Sequence, residues 1–440
     1  MVSRSERRRR MREKAGLKKI WGILILFLLV LLPGQIAFAK EIKPVKIDEK
    51  HFPDENLRWE ISESFDKNKD GILSKKEIRK AKELEVLNYS TLKRSLNFSG
   101  IEYLPYIKKI GIYSYKIKQK DLNRYPFTKA KKIELSNNHM KSMDFSACKE
   151  LEELECSNNN VLQEITVKKN KKLKRLDLEA CHRLKKLDIS KNDKLERIRI
   201  SENKTKGGFL LKGAKKLKVI KLFNSKLSGV RIENCPKVKE VDITYSTTES
   251  LVLKKCPVVN KIDLSETSLN RLSVSQPDAL TTLIAFHTNL NVDGIKQYKN
   301  LKELSIGDTS LLELNANLWP KLKRLSVSGC LEMTKLDVGS LDDLEHLDAE
   351  YTRITALDLS GKYQLKELTC FNYLEEINLT GVTNLKKVLT DKRKDDGNSI
   401  LLQENPLKRI ILDKDISQTD LEYINEQIRE SGGGPELVFV

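Results

Sequence analysis

Apolar and polar positions repeat in a fixed phase over the stretch from Ile133 to Val388. An aliphatic residue, which we call the anchor of its repeat, returns every 20 to 22 residues. The residue two positions after the anchor is again apolar in most repeats. A small polar residue or a cysteine follows five positions after each anchor up to Leu347, and the rule fails after Leu368, where Tyr373 stands. The thirteen anchors are Ile133, Leu154, Leu176, Ile198, Ile220, Val241, Ile262, Leu283, Leu304, Leu325, Leu347, Leu368 and Val388.

This periodicity predicts one short strand per repeat, because the alternation has the period of a strand. A repeat this short cannot bury its own apolar face, so neighbouring repeats must stack into a solenoid. A second alternating apolar pair, such as Leu251 with Leu253, follows the anchor by about ten residues. We interpret it as an extended segment on the opposite side of the coil, since about ten residues per side leave no room for a typical helix. The sequence therefore predicts an α/β solenoid dominated by β-structure.

The small residue five positions after the anchor, as in Asn138 or Thr352, predicts an interior role. We expect its side chain to bond the backbone where the chain leaves the strand, because buried amides need partners. Repeats of this kind resemble leucine-rich repeats, and the resemblance covers most of the chain.

Residues 1–39 have the pattern of a secretory signal peptide. A strongly basic start precedes the apolar run Ile20–Leu32, whose 13 residues are too few to span a bilayer comfortably. The small residues Ala37 and Ala39 then predict cleavage before Lys40. The alternative is an uncleaved signal anchor. Cleavage would leave a secreted or cell-surface protein of net charge about +12, against +19 for the full chain.

Residues 66–77 have the pattern of a complete EF-hand calcium loop. A helix with Leu57, Ile61 and Phe65 on one face leads into it, and a second helix is expected from Ser74 to about Lys82. Oxygen donors at these positions suit Ca²⁺, with an affinity of roughly 10⁻⁴ to 10⁻³ M expected for one unpaired, lysine-rich loop. The alternative is a calcium-free plug of the same shape. The predicted ligands are Asp66, Asn68, Asp70, Ile72 through its carbonyl, Ser74 and Glu77.

The end of the chain loses the repeat and predicts a terminal cap. A charged loop, residues 391–398, precedes a last coil. A helix from Thr419, with Thr419 and Glu422 as its capping box, then leads to a strand at 437–440. The predicted domains are a signal peptide at 1–39, a calcium-binding cap at 40–95, a solenoid at 96–412 and a C-terminal cap at 413–440.

Cysteines and histidines favour a binding protein over an enzyme. The seven cysteines all fall on repeat positions, which predicts buried thiols. The alternative is one disulfide between Cys235 and Cys256, which lie on neighbouring coils. No histidine pair has metal-ligand spacing, and no phosphate-binding loop or nucleophile elbow is present. Cys181 and His182 are adjacent, but Cys181 belongs to the repeat. We therefore predict no enzymatic activity.

The order of signal peptide, EF-hand segment and leucine-rich repeats resembles secreted or surface-attached proteins of Gram-positive bacteria, of the internalin type. The full ligand set departs from the caps of that type. The resemblance implies binding of a partner outside the cell, which we expect to be a protein or glycan. We also expect a monomer and no nucleic-acid partner. Two alternatives stay open: a structural spacer, and a binder of an anionic cell-wall polymer through the many lysines.

Residues that flank the anchors point out of the core and form a candidate partner-binding face. Exposed aromatic residues on one face are typical of binding surfaces. The alternative is that these rings turn inward and extend the core. The predicted partner-binding residues are Lys221, Phe223, Tyr245, Ile284, Phe286, His287, Tyr351 and Phe371.

Overall fold

The computed structural model describes residues 42–88, 94–187, 189, 191–203, 207–370, 373–389, 406–430 and 434–440. By its internal contacts the chain divides into Met1–Val45 and Lys46–Val440. Residues 42–45 of the first unit lead into a strand at Val45–Lys46, and the solenoid belongs to the second unit. The predicted signal peptide and the charged loop at 391–398 lie outside the described residues. None of the described helices has the length and apolarity needed to cross a membrane.

One large parallel sheet, which we call the main sheet, holds the anchors. Fourteen described strands follow one another in chain order, and each pairs with the next in register. Ile133 lies opposite Leu154, for example, and Leu283 lies opposite Leu304. The strands are Glu83–Leu87, Lys109–Tyr113, Lys132–Ser136, Glu153–Glu155, Arg175–Leu178, Arg197–Ile200, Val219–Lys221, Glu240–Asp242, Lys261–Asp263, Thr282–Ile284, Glu303–Ser305, Arg324–Ser326, His346–Asp348 and Glu367–Thr369.

Twelve of the thirteen predicted anchors are confirmed as buried strand residues, from Ile133 to Leu368. Two further strands precede them, with Leu84 and Ile110 in the anchor position. The prediction for Val388 is wrong, because this residue lies in the helix Leu385–Leu389. Leu385, Val388 and Leu389 are buried together, and their spacing is that of a helix face.

The opposite side of the coils is extended, as predicted. Thirteen short strands form four separate parallel sheets within the described residues. Short 3₁₀ turns supplement them at Ile101–Tyr103, Phe127–Lys129, Pro277–Ala279, Val292–Gly294 and Ala316–Leu318. The strands are Ser142–Asp144, Glu164–Thr166, Lys186–Leu187, Gly207–Lys212, Leu227–Glu233, Ser250–Lys254, Arg271–Val274, Glu313–Asn315, Lys335–Asp337, Ala356–Asp358, Glu376–Asn378, Arg409–Leu412 and Glu436–Phe439.

The small residue five positions after the anchor bonds the backbone at the corner, as predicted. Asn159 joins two coils, because its Oδ1 accepts from the Asn138 amide at 2.8 Å and its Nδ2 donates to the Leu135 carbonyl at 2.8 Å. Threonines in later coils bond within their own coil, as Thr288 does when its hydroxyl donates to the Ala285 carbonyl at 3.0 Å. These bonds satisfy backbone groups that the apolar core cannot.

Helices lie at both ends of the solenoid. The helix Glu55–Phe65 is capped by Asp54, whose side chain accepts from the amides of Asn56 and Leu57. Shorter helices follow at Lys75–Lys80 and Gln119–Leu122.

Near the C-terminus the helix Gln418–Glu430 packs against the helix Leu385–Leu389. Its predicted cap at Thr419 is wrong, because the Ser417 hydroxyl accepts from the Asp420 amide at 3.1 Å. The helix therefore starts earlier and buries Tyr423 and Ile424, while Leu421 is only half-buried.

Candidate functional site

The predicted calcium loop turns tightly between two helices. Its backbone takes left-handed angles at Lys69, with φ of 58°, and at Gly71, with φ of 76°. Asp66 is buried, and its carboxylate accepts from the Asp70 amide at 3.3 Å and the Gly71 amide at 2.9 Å. The carboxylate at the first predicted ligand position thus holds the middle of the turn.

Glu77 closes the loop from the second helix. Its Oε1 accepts from the Lys67 amide at 2.9 Å, and its Oε2 accepts from the Ser74 amide at 2.9 Å and the Ser74 hydroxyl at 2.7 Å. The hydroxyl of Ser74 is the main reason why the pKa of Glu77 lies below its usual value. Ser74 and Glu77 also form the capping box of the helix Lys75–Lys80.

The other ligand candidates bond within the same loop. The Asn68 side-chain amide donates to Asp70 at 2.8 Å, and the Ile72 amide donates to the same carboxylate at 2.8 Å. Within the described ranges, no three His, Cys, Asp or Glu side chains form a group arranged to hold a metal. The residue types and the turn fit Ca²⁺, but the carboxylates are directed at backbone amides of their own loop.

The loop has a short strand where a second hand would pair. Ile72–Leu73 is extended, and the Ile47 amide donates to the Gly71 carbonyl at 2.9 Å. A chain segment outside any EF-hand therefore takes the place of a partner loop.

On the outward face of the main sheet, Phe223 lies among charged side chains. The guanidinium carbon of Arg199 lies 5.0 Å from the centre of the Phe223 ring, which is cation–π distance. Lys221 lies 3.7 Å from a carboxylate oxygen of Glu240 and 3.6 Å from one of Asp242. Phe223 and Lys221 are both half-buried.

A second part of the face is built on the coil of Leu283. The ring of Phe286 lies over Gly307 of the next coil, where an added Cβ atom would meet the ring at 3.1 Å. His287 Nδ1 lies 3.0 Å from Asp308 and 3.5 Å from Glu266. Ile284 and Phe286 are half-buried, whereas 62% of the His287 side chain is exposed.

The residue four positions after the anchor has a left-handed backbone conformation in coil after coil along the main sheet. The pattern of apolar and polar residues did not predict this conformation. Asn, Asp, Gly and His tolerate this conformation best, and their frequency at the position was the available signal. Tyr245 and Tyr351 occupy this position with φ of 55° and 52°. Both side chains are exposed, with 66% and 51% of the residue surface accessible to solvent. The left-handed residues are Ser114, Asn137, Asn158, Ala180, Glu202, Asn224, Tyr245, Glu266, His287, Asp308, Gly329 and Tyr351.

The predicted face therefore consists of two groups and one outlying residue. Lys221 and Phe223 lie one coil from Tyr245. Ile284, Phe286 and His287 lie on a single coil, separated from Tyr245 by the coil of Ile262. Tyr351 lies three coils further along the sheet. Phe371 lies outside the described residues, and the seven others are half-buried or exposed.

All seven cysteines are buried, and no disulfide joins any of them. Burial raises the pKa of Cys148 and of Cys181 to about 12, which suppresses the reactive thiolate. Cys235 and Cys256 lie on neighbouring coils without a disulfide. Hydrogen bonding from the Cys235 thiol holds the pKa of Cys256 below its usual value. Cys181 donates to the Cys156 carbonyl at 2.9 Å while His182 Nδ1 lies 2.6 Å from the Glu202 carbonyl, so this adjacent pair does not form a dyad.

Two solved structures resemble this fold. The functional domain of InlJ from Listeria monocytogenes, which includes a cysteine ladder, matches at 18% identity with a TM-score of 0.50, over 86% of this chain and 84% of that one. YopM, a leucine-rich effector protein from Yersinia pestis, matches at 18% identity with a TM-score of 0.54, over 89% and 96%. No protein-family model and no curated protein matches the chain. At this identity the likeness shows the fold: the chain forms a leucine-rich repeat solenoid dominated by parallel β-structure.

Proposed function

We propose that the chain is a secreted or cell-surface recognition protein that binds an extracellular protein or glycan through the outward face of the main sheet. The observation that carries this proposal is the pair Tyr245 and Tyr351, two exposed rings held in left-handed backbone. A bulky residue in this conformation costs about 1–2 kcal/mol. The repeat imposes this conformation in twelve successive coils, so folding itself gives no reason for a large exposed ring there. Recognition of a partner supplies such a reason.

The surroundings of these rings support a binding role. Phe286 rests on Gly307 and Phe223 rests on Arg199, so both rings are held in place before a partner arrives. Preorganised aromatic side chains bind with little loss of conformational entropy. The charged neighbours Lys221, Glu240 and Asp242 supply the polar rim that a protein interface has.

We also propose that residues 66–77 bind one Ca²⁺ ion that stabilises the N-terminal end. Asp66, Asn68, Asp70, Ser74 and Glu77 would hold it through side-chain oxygens, and Ile72 through its carbonyl. When bound, the ion would supply only positive charge at the centre of the turn, replacing the amide hydrogen bonds that the carboxylates now accept.

Tyr245→Asn and Tyr351→Asn test the binding face, because asparagine already occupies the same left-handed position at Asn137, Asn158 and Asn224. We expect the double variant to keep or raise the melting temperature, since strain is removed. Binding of the mature protein to an array of extracellular proteins and glycans should fall at least tenfold at every specific spot.

Tyr363→Ala is the matched control, since 67% of Tyr363 is exposed away from this face. It should leave the array pattern unchanged. A double variant that binds as well as the wild type, or that loses several degrees of melting temperature, would show that the rings do not form the binding site.

A further inference from the structure

A basic groove lies beside the first coils, away from the aromatic face. Its volume is about 580 Å³, which lies within the usual range of ligand-binding clefts. The cations Lys116, Lys118, Lys120 and Arg124 line it. Leu96 and Phe98 also line it and are buried.

The local sequence explains why these cations converge. Lys116 and Lys118 are exposed on an extended segment, and Ile117 between them is buried. An isolated parallel β-bridge between Ser95 and Lys116 holds that segment against the segment that contains Ser95. Lys120 follows in the helix Gln119–Leu122, whose Leu122 is buried and fixes the helix to the core.

The base of the groove is rigid. The Phe98 ring packs edge-on against Phe127 with their centroids 5.3 Å apart. Asp54, the cap of the first helix, accepts from the Asn97 amide at 3.0 Å and ties this segment to the N-terminal end. The groove is therefore formed in advance of any ligand.

The positive charge of the groove is not neutralised by the protein. Asp121 is the carboxylate among the lining residues, but it is buried and accepts from the Lys118 amide at 3.0 Å. In the described part of the chain, none of the four cations forms a salt bridge. Lys131 and Lys132 differ, since they pair with Glu152 and Glu134 at 2.9 and 2.5 Å.

We propose that this groove binds the phosphate groups of a linear, phosphate-bearing polymer. Lysine ammonium groups act as point charges toward phosphate, and the hydroxyls of Ser95 and Ser99 add neutral donors. Lys116 and Lys118 are two residues apart on extended backbone, so their Cα atoms are about 6.6 Å apart. Successive phosphates of one chain can therefore meet successive lysines.

Binding of fluorescently labelled polyphosphate to the full chain, measured by anisotropy at about 0.15 M salt, tests this proposal. The variant Lys118→Ala with Lys120→Ala should bind at least tenfold more weakly. Its slope of log K against log salt should be shallower by about 1.4, because each lost phosphate contact on a flexible strand removes about 0.7. Lys215→Ala with Lys216→Ala, an exposed pair elsewhere, removes the same charge and should change affinity less than twofold.

Three results would overturn the proposal. The first is that the wild type fails to bind polyphosphate. The second is that the two double variants weaken binding equally, which would mean that net charge alone attracts the polymer. Tighter binding of heparin, lost only in the Lys118→Ala and Lys120→Ala variant, would assign the groove to a sulfated glycan instead.

Discussion

Two glutamates of one repeat, Glu152 and Glu155, show how position on the coil sets the behaviour of a side chain. Glu152 lies between Lys174 and Lys131, whose hydrogen bonds lower its pKa to about 2. Glu155 points onto the sheet face, where burial and then the carboxylates of Glu134 and Asp177 raise its pKa. The charged form is thus favoured by folding at the first site and disfavoured at the second.

The two sites predict opposite effects of the same substitution. Glu152→Gln should lower the melting temperature at pH 7, and the deficit should vanish as the pH falls from about 4.5 to about 2. Glu155→Gln should raise it at pH 7, and the gain should vanish as the pH falls through the raised pKa to below 4.5. Thermal unfolding of both variants across this pH range checks the signs.

Added salt supplies the control for these two variants. The effect at Glu152 comes from partly exposed ion pairs, so it should shrink at about 1 M salt, whereas the burial effect at Glu155 should persist. If both variants raised the melting temperature at pH 7, or both lowered it, the causes assigned to the two pKa shifts would be contradicted.

At the scale of single residues, the sequence predicts which side chains face the core. It does not predict the φ angle of the residue that follows each strand. The corner role of Asn159 and Thr288 followed from a small polar residue at a fixed apolar spacing. The left-handed angle at Tyr245 and Tyr351 did not, because tyrosine carries no signal for it. Comparison of that position across repeats, where Asn occurs three times and His, Asp and Gly once each, would have indicated it.

Among the elements, the loop at 66–77 gives the sharpest prediction. With an affinity of about 10⁻⁴ M, about 5 mM Ca²⁺ should stabilise the fold by about 2 kcal/mol. Glu77→Gln should abolish this gain, because one of the two oxygens of the closing ligand is lost. Glutamine still serves in a capping box but keeps only one of the two acceptor oxygens, so the variant should melt slightly below the wild type when calcium is chelated. The effect of calcium is therefore measured for each protein against its own chelated sample.

Calorimetric titration and melting in Ca²⁺ against chelator measure both effects. Mg²⁺ at the same concentration is the control, since it favours a smaller octahedral site. No heat and no shift with Ca²⁺ would leave the loop as a plug held by its own hydrogen bonds, the alternative that the bonds of Asp66 and Glu77 already permit.

The strands of the main sheet were predictable because the same apolar pattern returns in every repeat. Many repeats therefore place the strand at the same position within the repeat. The end elements lack this redundancy. Val388 matches the strand phase by spacing alone, but Leu385, Val388 and Leu389 together have a helix face that outweighs it. The cap of the last helix moved from Thr419 to Ser417 because both residues are good caps and only packing distinguishes them.

For the whole solenoid, stability is expected to be a sum of contacts between neighbouring coils. One such contact at the C-terminal end is made by the side chain of Asp420. Asp420 is buried in the last helix, and its carboxylate accepts from the Asn384 amide at 3.2 Å and the Leu385 amide at 2.7 Å. It therefore caps the helix Leu385–Leu389, which packs against the end of the main sheet.

Asp420→Ala should leave these two amides without an acceptor and cost about 2 kcal/mol. Because coils contact only their neighbours, the loss should stay local. Hydrogen exchange should speed up in Leu385–Leu389 and Arg409–Leu412 and remain unchanged in Lys132–Ser136, many coils away. Asp420→Asn, which keeps an acceptor oxygen for one of the two amides, should show a smaller effect. Faster exchange in all three segments would mean that the solenoid unfolds as one cooperative unit, so that its ends cannot fray independently of its middle.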